Sequence, residues 1–221
     1  MVVISNSNVG QCAGAGRGES PSLQNIRGKA AWEQVRSEAN VARRFHLMPL
    51  FYGSATNADA AAIAALRMAT ARDLTERFGA GTWSFAAETE ASVQAEIRTS
   101  TVLFARDEGL VVGTLRLATR NPWIGNTDFF TPCERPIFLT SMAVSPKRQR
   151  QQIGRQLLSE AKRVAREMRG EALRLDSYAG PAGAAGFYMK CGFREVRRGD
   201  YNGTALIWFE TPLSGPVSDR H

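Results

Sequence analysis

The sequence predicts an α+β fold in which helices are inserted into a mixed β-sheet. Predicted strands outnumber predicted helices, and no internal repeat appears. The 221 residues, 43% hydrophobic and 22% charged, have the balance of one ordinary soluble domain with a substantial core. We therefore expect one folded domain over residues 48–212, preceded by an extension and followed by a flexible tail at 213–221.

The first 47 residues differ in composition from the rest of the chain. They are rich in Gly and Ser around NVGQCAGAGRGESPS, and the stretch after it has only a weak apolar periodicity. The glycines at 14, 16 and 18 resemble a dinucleotide fingerprint, but no predicted strand precedes them and no predicted helix follows. We expect residues 1–47 to be disordered or loosely ordered, and Met48 is a candidate start of the working protein.

Three strands and two helices are predicted in the first half of the domain. The strand LFYGSA leads to a helix that Thr56 or Asn57 can cap, with apolar residues at helical spacing from Ile63 to Leu74. A second helix is predicted over 88–99. TVLFAR and LVVGTLRLA, joined by the turn DEG, then form a hairpin.

The second half of the domain alternates strands and helices after a long loop. The predicted elements, in order, are a strand at 137–144, a helix from Gly154 to about Met168, a strand at 172–178, the short helix AGAAGFYMKC and a closing strand at 204–210. Pro146 ends the first of these strands.

Charge and composition weigh against several classes of function. The formal net charge of +7 suits a polyanionic partner, but the basic residues are dispersed, so nucleic-acid binding ranks third among our hypotheses. No apolar run reaches the length of a membrane helix, and the N-terminus lacks a secretory signal, which predicts a cytoplasmic protein. The three cysteines and two histidines are scattered, so we expect neither a disulfide framework nor a metal site.

The stretch QRQQIGRQLL, residues 149–158, follows an apolar strand and opens an amphipathic helix. The first amides of a helix lack intrahelical acceptors, and the helix dipole adds positive charge there, so such a terminus binds phosphate readily. Gly154 lacks a Cβ and would allow close approach to the backbone. Read alone, the same stretch also fits a basic, solvated helix entrance.

Two motifs in this half of the chain resemble those of one family. MAVSPKRQRQQIGRQLL resembles the cofactor motif Q/R-x-x-G-x-G/A of the GNAT N-acyltransferase superfamily; Gln149 and Gly154 match, and Gln152 replaces the middle glycine. AGFYMKCGFREV resembles the family's second motif, F-Y-x-x-x-G-F, at 187–193. The resemblance covers about residues 50–210. It implies a mixed, mostly antiparallel sheet of six to seven strands flanked by helices, with splayed central strands.

The resemblance implies acyl transfer from acetyl-coenzyme A, or a related thioester, to a primary amine, without a metal. In this family one splayed strand pairs with the pantetheine arm, and the loop amides after it hold the pyrophosphate. The implied cofactor-binding residues are Met142, Ala143, Val144, Gln149, Arg150, Gln151, Gln152, Ile153, Gly154 and Arg155. Family members often carry an asparagine seven residues before the tyrosine, where this chain has Pro181.

Tyr188 resembles the family's general acid, which protonates the thiolate of coenzyme A as it leaves. The alternative is that its ring only packs beside Phe187. The general base is open, because the strand FLTSMAV carries no carboxylate. Asp176 and Glu134 are the candidates nearest by sequence, although Asp176 could equally anchor a loop and Glu134 could be solvated.

Trp123, Phe129 and Phe130 lie in the long loop where an acceptor amine would approach. They either bind an apolar or cationic acceptor or form a lid over the core. The expected partner is a small-molecule or protein amine, and a homodimer is compatible with the sequence. The competing hypothesis is a non-catalytic acyl-coenzyme A binding or sensor module.

Overall fold

A computed structural model describes residues 50–84, 88–120, 127–201 and 203–213. They form a seven-stranded sheet with the order β1-β2-β3-β4-β5-β7-β6. The strands are Phe51–Ser54 (β1), Thr101–Asp107 (β2), Leu110–Ala118 (β3), Pro136–Val144 (β4), Ala172–Tyr178 (β5), Arg194–Tyr201 (β6) and Thr204–Pro212 (β7). All neighbouring strands are antiparallel except β4 and β5, which run parallel.

Four α-helices flank this sheet in the described part of the chain. They are Ala60–Phe78 (α1), Glu90–Thr99 (α2), Ile153–Glu167 (α3) and Ala185–Lys190 (α4). The first two begin where the sequence places capping residues. A turn of 3₁₀-helix at Asn57–Asp59 precedes α1, and the backbone N–H of Thr56 donates to the Asp59 carboxylate at 2.8 Å. Thr89 caps α2 by accepting from the N–H of Ser92 at 3.1 Å.

The two faces of the sheet carry different helices. Leu103 and Leu115 on one face share a core with Leu157 of α3. On the other face Val102 packs with Ile63 of α1. Because successive side chains of a strand alternate between faces, each strand contributes to both layers.

The parallel strands β4 and β5 are joined only at their beginnings. Pro136–Phe138 pairs with Ala172–Arg174, and no later residue of either strand pairs with the other, although both strands are fully described. Beyond these residues, β4 continues to pair with β3, and β5 continues to pair with β7. A wedge-shaped gap therefore opens between the two central strands, as the family resemblance implies.

The predicted elements are all present, with shifted ends. The helix predicted from residue 88 begins at Glu90, and the helix predicted from Gly154 begins at Ile153. Leu213, which the sequence analysis assigned to the tail, is 1% exposed and its N–H donates to the carbonyl of Glu171 at 2.9 Å. That boundary was wrong by at least one residue, because the chain continues onto the core after β7. The predictions for residues 1–47 and 214–221 lie outside the described residues.

Candidate active site

The chain makes a tight turn where β4 leads into α3. A turn of 3₁₀-helix at Pro146–Arg148 follows the strand, and Arg150 and Gln152 then adopt left-handed conformations with φ of 63° and 65°. The side chain of Gln149 donates to the carbonyl of Val144 at 3.4 Å. The first intrahelical bond recorded for α3 runs from the N–H of Gln156 to the carbonyl of Gln152. The amides before Gln156 therefore form the open, electropositive end of the helix.

A cavity of about 190 Å³ lies at this helix end. All the predicted cofactor-binding residues line it except Met142, Ala143 and Gln151. Met142 and Ala143 are buried on β4 beside the gap, whereas Gln151 is exposed in the loop. The cavity also has lining residues that the sequence analysis did not assign to it: Arg148, Phe187, Lys190 and Cys191.

The charges around the cavity suit a phosphate-bearing group. Arg155 and Lys190 line it as cations, while Arg148 forms an ion pair with Asp107, the last residue of β2. Burial raises the pKa of the Cys191 thiol, so that side chain is neutral at physiological pH. Lys190 could have been found from the sequence, since it is the basic residue two positions after Tyr188 in the second motif.

A bulge interrupts β4 beside the gap. The pairing between β3 and β4 steps from Thr114↔Ala143 to Arg116↔Thr140, which leaves Ser141 and Met142 opposite one residue of β3. Ser141 has φ of 52°, a left-handed conformation that is uncommon for serine. A bulge takes backbone groups out of the ladder, so they are available at the point where the strands part.

Tyr188 reaches this gap from α4. Its side chain is 2% exposed, and its hydroxyl lies 3.7 Å from the sulfur of Met142. Its ring packs against Phe193 and against Phe209 of β7, with centroids 5.7 and 5.9 Å apart. Burial raises the pKa of Tyr188 well above its usual range, and the negative charge of Asp176 raises it further.

Asp176 approaches the same gap from β5. It pairs in register with Trp208, so it points to the face opposite that of Phe209 and Tyr188. Its Oδ2 atom is enclosed and finds no hydrogen-bond partner among the residues that the structure describes. Burial raises the pKa of this carboxyl group from 3.8 to about 6. The hydroxyl of Tyr188 and the carboxyl group of Asp176 therefore approach the gap from opposite faces of the sheet.

Comparison with models of protein families identifies the family of the chain. The model of the acetyltransferase (GNAT) family matches residues 67–193, more than half of the sequence. The chain belongs to the GNAT acetyltransferase family. A search of curated proteins finds no significant match.

Solved structures with the same fold are numerous but distant in sequence. A ribosomal-protein-alanine N-acetyltransferase from Brucella melitensis is 22% identical, with a TM-score of 0.57 over 74% of this chain and 99% of its own. An aminoglycoside 6'-acetyltransferase of type Ii is 14% identical, with a TM-score of 0.56 over 75% and 98%. A Salmonella typhimurium protein, solved with its cofactor acetyl-coenzyme A, is 18% identical, with a TM-score of 0.58 over 76% and 96%. At these identities the likeness establishes the fold.

The other predicted site residues of this GNAT domain fall elsewhere. Glu134 precedes β4 at the strand end far from the cavity, is 86% exposed and pairs with Arg135, so the structure does not bring it to the gap. Phe130 is 3% exposed beneath the guanidinium of Arg174 and is a core residue, not an acceptor contact. Phe129 packs against Trp208 with centroids 5.4 Å apart. Trp123 lies outside the described residues.

A second cavity of this GNAT domain opens beyond the end of β5. It has a volume of about 500 Å³, and its lining includes Trp83, Tyr178 and Pro181. Tyr178 follows Asp176 by two residues on the same face of β5, so the cavity begins about 7 Å along the strand from the titratable carboxylate, which does not itself line it. The sequence analysis did not predict it, because its walls come from segments almost 100 residues apart.

Among the residues that the structure describes, no helix has both the length and the apolar character needed to cross a membrane. Within the same residues, no group of three or more His, Cys, Asp or Glu side chains is arranged to hold a metal ion.

Proposed function

We propose that this GNAT protein transfers the acetyl group of acetyl-coenzyme A to a primary amine while both substrates are bound. The observation that carries the proposal is the convergence of Asp176 and Tyr188 on the gap between β4 and β5 from opposite faces. A Salmonella neighbour that was solved with acetyl-coenzyme A adds support for the choice of co-substrate. The Brucella structure and the type Ii structure, which share this fold, are named for different acceptors, so the fold alone does not select the amine.

The residues at the helix end fit the phosphate groups of the co-substrate. The amides that open α3 would hold the pyrophosphate, with Arg155 and Lys190 supplying positive charge. The unpaired edge of β4 at Met142–Val144 would accept the pantetheine arm as an added strand. Acetyl-coenzyme A supplies an activated thioester whose carbonyl would lie in the gap.

The two titratable residues serve the proton movements at the nitrogen and at the sulfur. The carboxylate of Asp176 would first take a proton from the acceptor ammonium group, because only the neutral amine has a lone pair to form the N–C bond, and the second proton would leave the nitrogen for solvent as the amide forms. Backbone groups at the Ser141 bulge would steady the charge that develops on the carbonyl oxygen. As the C–S bond breaks, the hydroxyl of Tyr188 would give its proton to the sulfur. The raised pKa of Tyr188 keeps this proton in place at physiological pH.

Replacing Tyr188 by phenylalanine tests the proton donor. The ring packing remains, and within the described part of the chain the lost hydroxyl contacts only a thioether sulfur, so folding and affinity for acetyl-coenzyme A should survive. We expect kcat to fall about 10²- to 10⁴-fold. The measurement is steady-state release of coenzyme A with the best amine from a broad panel.

Tyr52→Phe is the matched control for this experiment. It also removes one hydroxyl, but from β1 at the outer edge of the sheet, where the group donates to Gln156 at 2.6 Å. Its kcat should stay within about twofold of the original, as for a surface change away from the site. Equal kcat in the original chain and Tyr188→Phe would return Tyr188 to a packing role and favour the non-catalytic acyl-coenzyme A binding module.

A further inference from the structure

We propose that the acceptor is a small primary amine carrying one positive charge on an aromatic or otherwise uncharged body, and not a polycation. This inference rests on the proposed function, because it takes the carboxylate of Asp176 as the group that receives the reacting nitrogen. It concerns the cavity of about 500 Å³ beyond β5.

The cavity lies where the body of such an amine would extend from Asp176. Tyr178 forms part of its wall, and two residues of a β-strand span about 7 Å. The indole ring of Trp83 meets the Tyr178 ring edge-on, with centroids 5.0 Å apart. A molecule whose nitrogen reaches Asp176 would therefore have its body beside these two rings. The volume fits a small molecule.

The described lining of the cavity is uncharged at neutral pH. Phe78 joins Trp83 and Tyr178 as the third aromatic side chain, and the remaining lining residues are glycine, alanine, threonine and proline. Burial raises the pKa of Tyr178 to about 12, which keeps its hydroxyl neutral. The walls thus offer apolar surface and ring faces, the lining typical of sites for aromatic ligands.

The charges at the rim offer little to additional cations. The guanidinium of Arg77 lies 4.9 Å from the centre of the Phe78 ring and is paired with Asp73 at 3.3 Å. The carboxylate of Asp200 accepts from the N–H of Gly203 at 2.8 Å and is exposed, so water screens its attraction for a second ammonium group. A polyamine or an aminoglycoside carries several ammonium groups, and each one that entered the cavity beyond the reacting nitrogen would lose water without meeting a carboxylate among the described lining residues. Cation–π contact with a ring recovers only part of that loss. One carboxylate, Asp176, matches one ammonium group.

The first experiment compares acceptors with the full chain. Phenethylamine represents the aromatic monoamine, and spermidine and kanamycin represent polycations. We expect kcat/KM for phenethylamine to exceed that for either polycation by at least about 100-fold, measured as release of coenzyme A. Preferential use of spermidine, kanamycin or a peptide N-terminus would overturn the inference and leave the proposed function standing.

Variants of Trp83 test whether the ring supplies the apolar surface. Trp83→Ala should lower kcat/KM for phenethylamine about 10- to 100-fold, mainly through KM. Trp83→Phe keeps a ring and should stay within a few-fold of the original. If Trp83→Ala leaves phenethylamine unaffected, the cavity is not the acceptor site.

A substituted wall tests the charge argument in the opposite direction. Thr82 is exposed and lines the cavity, so Thr82→Asp adds a carboxylate there at little cost in folding. The ratio of spermidine to phenethylamine turnover should rise about tenfold, whereas Thr82→Asn, which equally loses the contact with the Thr204 hydroxyl, should leave the ratio unchanged. An equal rise in both variants would refute the charge argument.

Calorimetric binding separates failure of the inference from failure of the proposed function. If no amine is acetylated but phenethylamine binds the original chain and not Trp83→Ala, the cavity recognises aromatic amines and the acyl-transfer proposal is wrong. If phenethylamine neither binds nor reacts, the inference is wrong as well.

Discussion

At the scale of single residues, Gln152 stands where the family motif has its middle glycine, and it adopts a conformation that favours glycine. Its φ of 65° places the N-cap of α3 in the left-handed region, where a side chain costs about 1–2 kcal/mol. The missing glycine therefore leaves the turn intact and lowers its stability. The backbone path is set by the loop, not by the residue at this position.

Gln152→Gly should consequently stabilise the protein. We expect the free energy of unfolding to rise by about 1 kcal/mol in denaturant titrations, with affinity for acetyl-coenzyme A unchanged or improved. Gln151→Gly is the control, because Gln151 is not among the residues with positive φ, and it should destabilise slightly. A loss of stability in Gln152→Gly would mean that the glutamine side chain makes a compensating contact.

Asp176 couples the proposed chemistry to stability. Its folded pKa of about 6 lies above the ordinary value of 3.8, so the folded state binds the proton more tightly than the unfolded state. The free energy of unfolding should therefore fall as the pH rises from about 4 to about 6 and stay lower above that range.

Asp176→Asn removes this ionisation and should stabilise the protein at pH 8 by up to about 3 kcal/mol, while changing little at pH 4. The same change should lower kcat about 10²- to 10⁴-fold if the carboxylate is the base. Thermal unfolding at both pH values and turnover at pH 8 measure the two effects. Glu108→Gln, an exposed change in the turn after β2, should show neither. If kcat stays high in Asp176→Asn, the base is another group.

Sequence reasoning selected Tyr188 through its motif, and Asp176 and Glu134 as the acidic residues nearest by sequence, but it could not choose between the two carboxylates. The direction of β4 separates the two candidates. Glu134 precedes the start of this strand, which extends about 30 Å from there to the loop before α3. The burial of Phe130 was also beyond the sequence, because its cover, Arg174, comes from a strand 44 residues later.

At the scale of elements, the tight loop between β5 and α4 holds Tyr188 in place. A Cβ on Gly183 would lie 1.8 Å from the carbonyl oxygen of Tyr178, so the backbone passes there only because no side chain is present. The N–H of the next residue, Ala184, donates to the hydroxyl of Ser177 at 2.9 Å and ties the loop to β5.

Gly183→Ala should destabilise the protein by about 1–3 kcal/mol, because the loop must shift to relieve the clash, and turnover should fall as Tyr188 moves. Gly186→Ala is the matched change within α4. A Cβ added there meets no atom of the described residues within 4 Å, so helix propensity should stabilise this variant by up to about 1 kcal/mol. Denaturant titration and coenzyme A release measure both variants; equal effects would show that the close approach at Gly183 does not constrain the loop.

The elements themselves were largely predictable, and the bulge in β4 left a trace in the sequence. Ile137 and Leu139 are core residues at odd positions, whereas Met142 and Val144 are core residues at even positions. A regular strand keeps one parity on one face, so a change of parity indicates an extra residue between them. The gap between β4 and β5 has no such trace, because it depends on how the partners β3 and β7 twist apart.

At the scale of the whole molecule, the two faces of the sheet divide the proposed reaction. The face of α3 and α4 carries the phosphate-binding loop and Tyr188, and the opposite face carries Asp176 and the aromatic cavity. Only a gap within the sheet lets groups from both faces meet. Parallel pairing of two central strands, each held on its outer side by an antiparallel neighbour, provides that gap.

At the same scale, we expect residues 1–47 to be dispensable for folding and for binding acetyl-coenzyme A. The described sheet begins at Phe51, and its core residues all come from position 60 onward. The composition of the first 47 residues, rich in Gly and Ser, cannot bury much apolar surface. A chain that starts at Met48 should therefore melt within about 2 °C of the full chain, since a change of 1 kcal/mol shifts the melting temperature by only about 2–4 °C at this size. Calorimetric titration with acetyl-coenzyme A should give the same affinity for both chains.

A chain that starts at Ala60 is the control, because it lacks β1 and should lose stability through the exposed edge of β2. If the chain from Met48 aggregates or binds the co-substrate more weakly, the first 47 residues belong to the folded domain and the predicted boundary is wrong.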